Sequence, residues 1–302
     1  MKKKLVVIIG PTAAKKTTIA HEICLKLNGS IINADAFQVY KDLSAGVNKP
    51  SISKLSEIEY YLINIKNLDE QYNIKEFQID FKKSYDEIVK KNKLPILCGG
   101  SHLYIDAILN GYDLSVSLEN ELNIVKNWSI DKISNYVKKY DFVSYEKNIN
   151  NIYRLQRCAA YLLANNNIPK SLLEKANNKI EFDPLIIMIY NDRDFLYQKI
   201  NQRFDNFLSN NNWIEEVKML IDKYPNDLEK YQGMKAIGYL EILDAIKNNI
   251  SINVDLIKQK TRQLAKHQLT WCNNKFHNKV KFDPTKDNLD DLIKLIQNYY
   301  AN

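Results

Sequence analysis

Apolar positions in this chain fall first into short unbroken runs. Leu5-Val6-Val7-Ile8-Ile9 and Leu94-Pro95-Ile96-Leu97-Cys98 have the length and continuity of strands covered on both faces. A third such segment, Ser30 to Asp35, follows a turn at Gly29 and ends on a carboxylate, and a fourth, Leu185 to Ile189, follows Pro184. Between them the period changes. Residues 74 to 90 place Phe77, Ile79, Phe81, Tyr85 and Ile88 at helical spacing, which predicts one long helix. From about Asp113 to Glu181 the chain is charged, rich in asparagine and without a strong strand, the pattern of a helical insertion.

The final third predicts helices over Phe195–Leu208, Trp213–Ile221, the segment after Gly233-Met234-Lys235-Ala236-Ile237-Gly238-Tyr239, and Ile257–Trp271. The stretch after Asp283 is polar enough to fray. The expected architecture is α/β: a parallel sheet core flanked by helices, residues 1–112 and 182–302, interrupted by an all-helical domain at 113–181.

Chemistry enters where the first run stops. Gly10-Pro11-Thr12-Ala13-Ala14-Lys15-Lys16-Thr17 separates a strand from a helix, the order of a phosphate loop. Backbone N–H groups and the positive helix end would face a di- or triphosphate there, with Lys16 as a mobile charge and Thr17 as a hydroxyl for Mg²⁺. The pattern G-x-x-x-x-G-K-[ST] wants glycine where Lys15 stands. A side chain at that point costs about 1 kcal/mol if the backbone needs positive φ. An ordinary turn between strand and helix is the other reading of the same residues. Asp35, at a strand's carboxyl end, either serves that site or caps a turn. Gly99-Gly100-Ser101, ahead of a helix, either lets backbone approach a ligand or makes a plain tight turn.

The net charge of +7 admits a polyanionic partner without demanding one. Arginine is more telling. Only five of the 43 basic residues are arginines, Arg154, Arg157, Arg193, Arg203 and Arg262, so each is a candidate for a place that needs a planar fork. Arg154 and Arg157 share a helix face, and Lys258, Arg262 and Lys266 form a stripe that is either solvated or tracks phosphates. Cys24, Cys98, Cys158 and Cys272 are too scattered for a zinc site. No apolar stretch reaches membrane-spanning length and no signal peptide precedes the first strand, so a cytoplasmic chain is expected, and nothing calls for more than a monomer.

These segments together resemble the bacterial-type tRNA dimethylallyltransferases, also called tRNA isopentenyltransferases. GPTAAKKT is similar to the family's GPTASGKT; Asn33-Ala34-Asp35-Ala36-Phe37-Gln38-Val39-Tyr40 to S-A-D-S-x-Q-V-Y; GGSHLY to GGTGLY. Tyr153 to Arg157 matches Q-R-x-x-R with tyrosine in place of glutamine, and AIGY (236–239) and TRQLAKHQLTW (261–271) match the C-terminal signatures. The resemblance implies transfer of a five-carbon allylic group from dimethylallyl diphosphate to the exocyclic amine of adenosine 37, beside the tRNA anticodon. It implies Mg²⁺ as cofactor and a P-loop NTPase-like core. Asp35, Lys16, Thr12, Ser101 and Arg203 would form the catalytic group, with Asp35 as general base. Residues Gly10, Pro11, Thr12, Ala13, Ala14, Lys15, Lys16 and Thr17 would hold the diphosphate. Asp35, Ala36, Phe37, Gln38, Ser101, Tyr153, Arg154, Leu155, Gln156, Arg157 and Arg262 would contact tRNA, with the insertion closing over the anticodon stem-loop and a channel between the two parts. A P-loop kinase shares the first motif, although such enzymes use an arginine-rich lid and the insertion has only Arg154 and Arg157. A tRNA-binding relative without activity is the other alternative.

Overall fold

The computed structural model describes residues 2–112, 118–169, 180–209 and 212–301. The chain divides into two compact units, residues 1–109 with 182–302, and residues 110–181.

The first unit is built on a six-stranded, all-parallel sheet: β1 (Lys3–Ile9), β2 (Gly29–Asn33), β3 (Tyr60–Tyr61), β4 (Leu94–Cys98), β5 (Phe182–Ile189) and β6 (Lys279–Phe282), ordered β3-β2-β4-β1-β5-β6. Val6 pairs with Ile96 on one side and Leu185 on the other, so β1 is central. Its alternate residues feed opposite layers. Leu5, Val7 and Ile9 join one core, Val6 and Ile8 the other, and all five are fully buried. Burying each such side chain contributes roughly 1.5–3 kcal/mol, which is why the run carries no polar position.

Helices α1 (Lys16–Leu27), α2 (Ile52–Glu57), α3 (Ile74–Lys90) and α4 (His102–Leu109) belong to the first segment of this unit. In α3 the Asn73 side chain accepts from Lys75 and Glu76 N–H while Glu76 reaches back to Asn73 N–H, a reciprocal cap. Phe77, Phe81, Tyr85 and Ile88 are buried as the periodicity predicts, whereas Ile79 is 60% exposed because the apolar stripe leaves it on the outer face.

The second unit holds α5 (Glu119–Lys126), α6 (Ile130–Tyr140), α7 (Phe142–Asn148) and α8 (Ile152–Ala164). The asparagine-rich sequence makes short helices here because its small polar residues serve as caps. Ser129, Asp141 and Asn151 each accept an N–H from the first turn of the next helix, an arrangement worth about 1 kcal/mol per cap. Val125, Ile133, Val137, Leu155, Ala159 and Ala160 form the unit's own core.

The chain returns through β5 to α9 (Arg193–Ser209), α10 (Asn212–Lys223), two 3₁₀ turns (Leu228–Lys230 and Gly233–Lys235), α11 (Tyr239–Asn248), α12 (Val254–Lys275) and α13 (Leu289–Ala301). Two strands, β3 and β6, are too short or too polar to stand out in the sequence. The terminal segment does not fray. Helix α13 buries Leu292, Ile293 and Ile296, and the Tyr299 hydroxyl accepts from Leu5 N–H at 2.9 Å and donates to the Asp183 carbonyl, fastening the C-terminus to two central strands. Among the described residues no helix is long and apolar enough to cross a membrane.

Candidate active site

The carboxyl ends of β1, β2 and β4 open on one side of the sheet, where parallel sheets place ligands. A cavity of about 160 Å³ lies there, lined by Thr12, Ala13, Lys15, Lys16, Thr17 and Thr18 from the loop after β1 and the start of α1. Asn33, Asp35 and Gln38 come from the end of β2 and the segment after it, Cys98, Gly99 and Gly100 from the end of β4, Arg203 from α9, and Leu264 and Gln268 from α12.

Ala13 and Lys15 of this loop both adopt the left-handed region (φ 64° and 65°). Lys15 is the N-cap of α1 and no side chain caps that helix, so its N-terminus faces the cavity with donors left for an anion. The glycine-for-lysine difference thus has its cost: a β-carbon sits at positive φ. Lys15 is exposed, and Ala14 is fully buried, so Ala14 offers only backbone. Gly10 and Pro11 are buried beneath the loop, and the Pro11 carbonyl accepts from the Lys16 ammonium at 2.7 Å.

Four charged residues line this cavity, Lys15, Lys16, Asp35 and Arg203, and burial shifts the last three. Burial pulls the Lys16 ammonium below the ordinary lysine range, partly opposed by Cys98 and Asp35. Burial also lowers Arg203, to about 10. Asp35 moves the other way: burial raises its carboxyl above the usual carboxylate range, opposed by the N–H groups of Phe37 and Gln38 and by Lys16 and Arg203. Those N–H groups donate to its Oδ1 at 2.9 and 3.3 Å, so Asp35 also closes the turn after β2. Asp35 thus closes the turn and also lines the cavity.

Ser101 does not line the cavity. Its hydroxyl accepts from Ala36 N–H at 2.9 Å and its N–H donates to the Ala34 carbonyl, so it braces the segment that carries Asp35. Gly99 and Gly100 line the cavity and also bring protein close against protein. A β-carbon on Gly99 would lie 2.0 Å from the Ala34 carbonyl oxygen, and one on Gly100 2.7 Å from Gln268 Nε2. Gln38 is buried, and its Nε2 donates to the Val47 and Asn48 carbonyls at 3.1 and 3.3 Å, which leaves Oε1 as its remaining polar atom. Phe37 packs against the core and Ala36 carries no polar side chain.

Gln268 is the residue for which the motifs suggested no role. Its Oε1 accepts from Thr12 N–H at 2.7 Å and its Nε2 donates to the Gly100 carbonyl at 3.0 Å, joining the phosphate loop to the loop after β4. It lies within the TRQLAKHQLTW signature, and a glutamine on the face that also buries Ile257, Thr261, Ala265 and Cys272 was the available signal. His102 adds a second tie to α12, with Nε2 3.4 Å from Cys272 Sγ; burial holds its imidazole neutral, down at about 4.

The basic stripe of α12 is not solvated throughout. Lys258 binds Asp205 at 2.5 Å and Arg262 donates to Asn201 at 2.9 Å, so both fasten α12 to α9, and only Lys266 is exposed. In the helical unit Tyr153, Arg154 and Arg157 are exposed on α8 and Gln156 is partly so. Leu155 lies in that unit's core, 1% exposed, and offers no surface to RNA. Arg154 and Arg157 line a cavity of about 300 Å³ within this unit, with Asn148, Cys158 and Tyr161.

The family profile described as IPP transferase matches residues 38–275. This chain belongs to the IPP transferase family. Among its relatives, the tRNA dimethylallyltransferase of Malacoplasma penetrans is 40% identical over 98% of this chain and 96% of its own length, and that of Oceanobacillus iheyensis is 33% identical over 100% and 97%. The tRNA isopentenylpyrophosphate transferase of Staphylococcus epidermidis has the same fold across 99% of both chains, at 30% identity and a TM-score of 0.70. A eukaryotic dimethylallyltransferase acting on tRNA, 23% identical, shares the fold with a TM-score of 0.86. A kinase assignment is set aside for this IPP transferase, because the likeness spans the sheet, the helical unit and the C-terminal signatures.

Proposed function

We propose that this IPP transferase moves a dimethylallyl group from dimethylallyl diphosphate to the N6 amine of adenosine 37 in tRNA, releasing pyrophosphate. The observation that carries this reading is the meeting of a phosphate loop, two half-buried cations and one half-buried carboxylate around a single cavity.

As the allylic C–O bond breaks, negative charge grows on the departing diphosphate. Lys16, Arg203 and the N–H groups at the start of α1 stabilise that charge, and in a site partly shielded from water each is worth more than in water. The adenine amine loses a proton as its new bond to carbon forms. Asp35 accepts it, and the upward shift of its carboxyl makes it a better proton acceptor than a solvated aspartate. Gln38 Oε1 accepts from the same amine and holds the flipped base in register. Thr17 supplies a hard oxygen beside the diphosphate, a donor set that suits Mg²⁺. When bound, that ion neutralises part of the leaving group's charge. Thr12 and Ser101 act as supports, through a backbone bond to Gln268 and a hydroxyl bond to Ala36. Arg154 and Arg157 hold the RNA of the anticodon stem-loop.

The test is incubation with Mg²⁺, dimethylallyl diphosphate and an unmodified tRNA, followed by nucleoside mass analysis. One prenyl group gained on adenosine 37, absent with Asp35→Ala, is the expected result. No gain despite tRNA binding would mean a binding protein without this activity.

A further inference from the structure

The segment from Ser44 to Asn48 has no regular structure and carries no motif, yet it contacts two residues of the cavity. The Gly46 carbonyl accepts from Arg203 Nη2 at 3.3 Å, and the Val47 and Asn48 carbonyls accept from Gln38. Its own conformation is set from behind. The carboxylate of Glu216, on α10 and 8% exposed, accepts from Ser44 N–H at 3.0 and 3.1 Å, from Ala45 N–H at 2.9 Å and from the Tyr239 hydroxyl at 2.5 Å. The Tyr239 oxygen in turn accepts from Gly46 N–H at 3.2 Å. Three consecutive backbone donors are thus fixed by two buried side chains. Trp213 closes the arrangement from below, since a β-carbon on Gly46 would fall 2.5 Å from its indole ring and from the Tyr239 ring.

We propose that Glu216 is a positioning residue for the transfer reaction, fixing through residues 44–46 the carbonyl that aims Arg203 into the diphosphate cavity. A buried carboxylate with this many donors is costly to remove, so stability alone accounts for its presence. What goes beyond stability is the continuity from Glu216 through Gly46 to Arg203, which makes the guanidinium's direction depend on a side chain that touches no substrate.

This rests on the reaction proposed above, and the experiment separates the two. In Glu216→Gln the new NH₂ cannot accept, so either Ala45 N–H or the Tyr239 hydroxyl loses its acceptor, and Ser44 N–H keeps one of its two. Its single-turnover rate of prenyl transfer should fall roughly 10- to 100-fold with tRNA affinity unchanged. The decisive arm is the Arg203→Ala background. There Glu216→Gln should add no further loss, because the group it aims is gone; losses that multiply would overturn the proposal. Inorganic pyrophosphate, titrated calorimetrically in the same four proteins, gives the same comparison without any prenyl transfer. Weakened, non-additive binding supports the proposal, and unchanged binding in Glu216→Gln overturns it. If Glu216→Gln does not fold, Tyr239→Phe, which loses one hydroxyl, takes its place in the same cycle.

Discussion

The two units of this protein treat polar side chains in opposite ways. In the α/β unit the side chains proposed for chemistry are buried or half-buried and committed: Asp35 to two backbone N–H groups, Gln38 to two carbonyls, Lys16 to Pro11, Arg203 to Gly46. In the helical unit Arg154 and Arg157 stand exposed on a helix that packs through Leu155, Ala159 and Ala160 on its other face. Desolvated, fixed charges suit the stabilisation of a reacting centre; exposed, mobile ones suit a hydrated phosphate backbone. Under the proposed function the reaction falls to the α/β unit and RNA holding to the helical one.

The largest effect should come from Asp35→Asn, which keeps the size and the turn but cannot take a proton. Single-turnover transfer should drop by about 10²- to 10⁴-fold. The same variant should be more stable at neutral pH. Because burial raises the folded-state pKa, the folded protein binds this proton more tightly than the unfolded chain, so Asp35 costs stability increasingly as pH rises through the interval between the two values. Thermal melts of wild type and variant should converge as pH falls back through that interval; a variant less stable than wild type at neutral pH would contradict it.

Lys16→Ala comes next, with transfer reduced by about 10²- to 10³-fold and pyrophosphate binding weakened, while tRNA affinity stays unchanged. Equal loss of tRNA and diphosphate binding would break the division of labour. Arg157→Ala should do the reverse: weaker tRNA binding, a salt dependence shallower by about 0.7 to 1 in log–log slope, and an unaltered rate at saturating tRNA. The smallest effect is Lys15→Gly. Relief of a side chain at φ 65° should raise stability by about 1 kcal/mol, read as a rise of about 2 °C in Tm. A fall in Tm would show that Lys15 makes contacts that outweigh its backbone strain.

What the sequence made legible follows the same physical divide. Runs such as Leu5–Ile9 revealed the central strands because burial on both faces leaves no polar position, and the phosphate loop was readable because it must be contiguous. The site's other half was not. Gln268 lies 256 residues from the Thr12 N–H it receives, and Glu216 is 172 residues from Ser44; each looks like an ordinary polar residue on an amphipathic helix. The partners of the α12 stripe were hidden for the same reason, since Asp205 and Asn201, which bind Lys258 and Arg262, lie on α9. The C-terminal helix was missed because its anchor, Tyr299, bonds to backbone of β1 and β5.

The most direct test of the account is the pH dependence of single-turnover prenyl transfer at saturating tRNA and dimethylallyl diphosphate, for wild type and Asp35→Asn. The account predicts that the wild-type rate falls on the acid side through one protonation, at a pH above the ordinary aspartate value of 3.8, and that the variant loses both the rate and this limb. A variant that keeps the wild-type rate and the same acid limb would show that another group takes the proton.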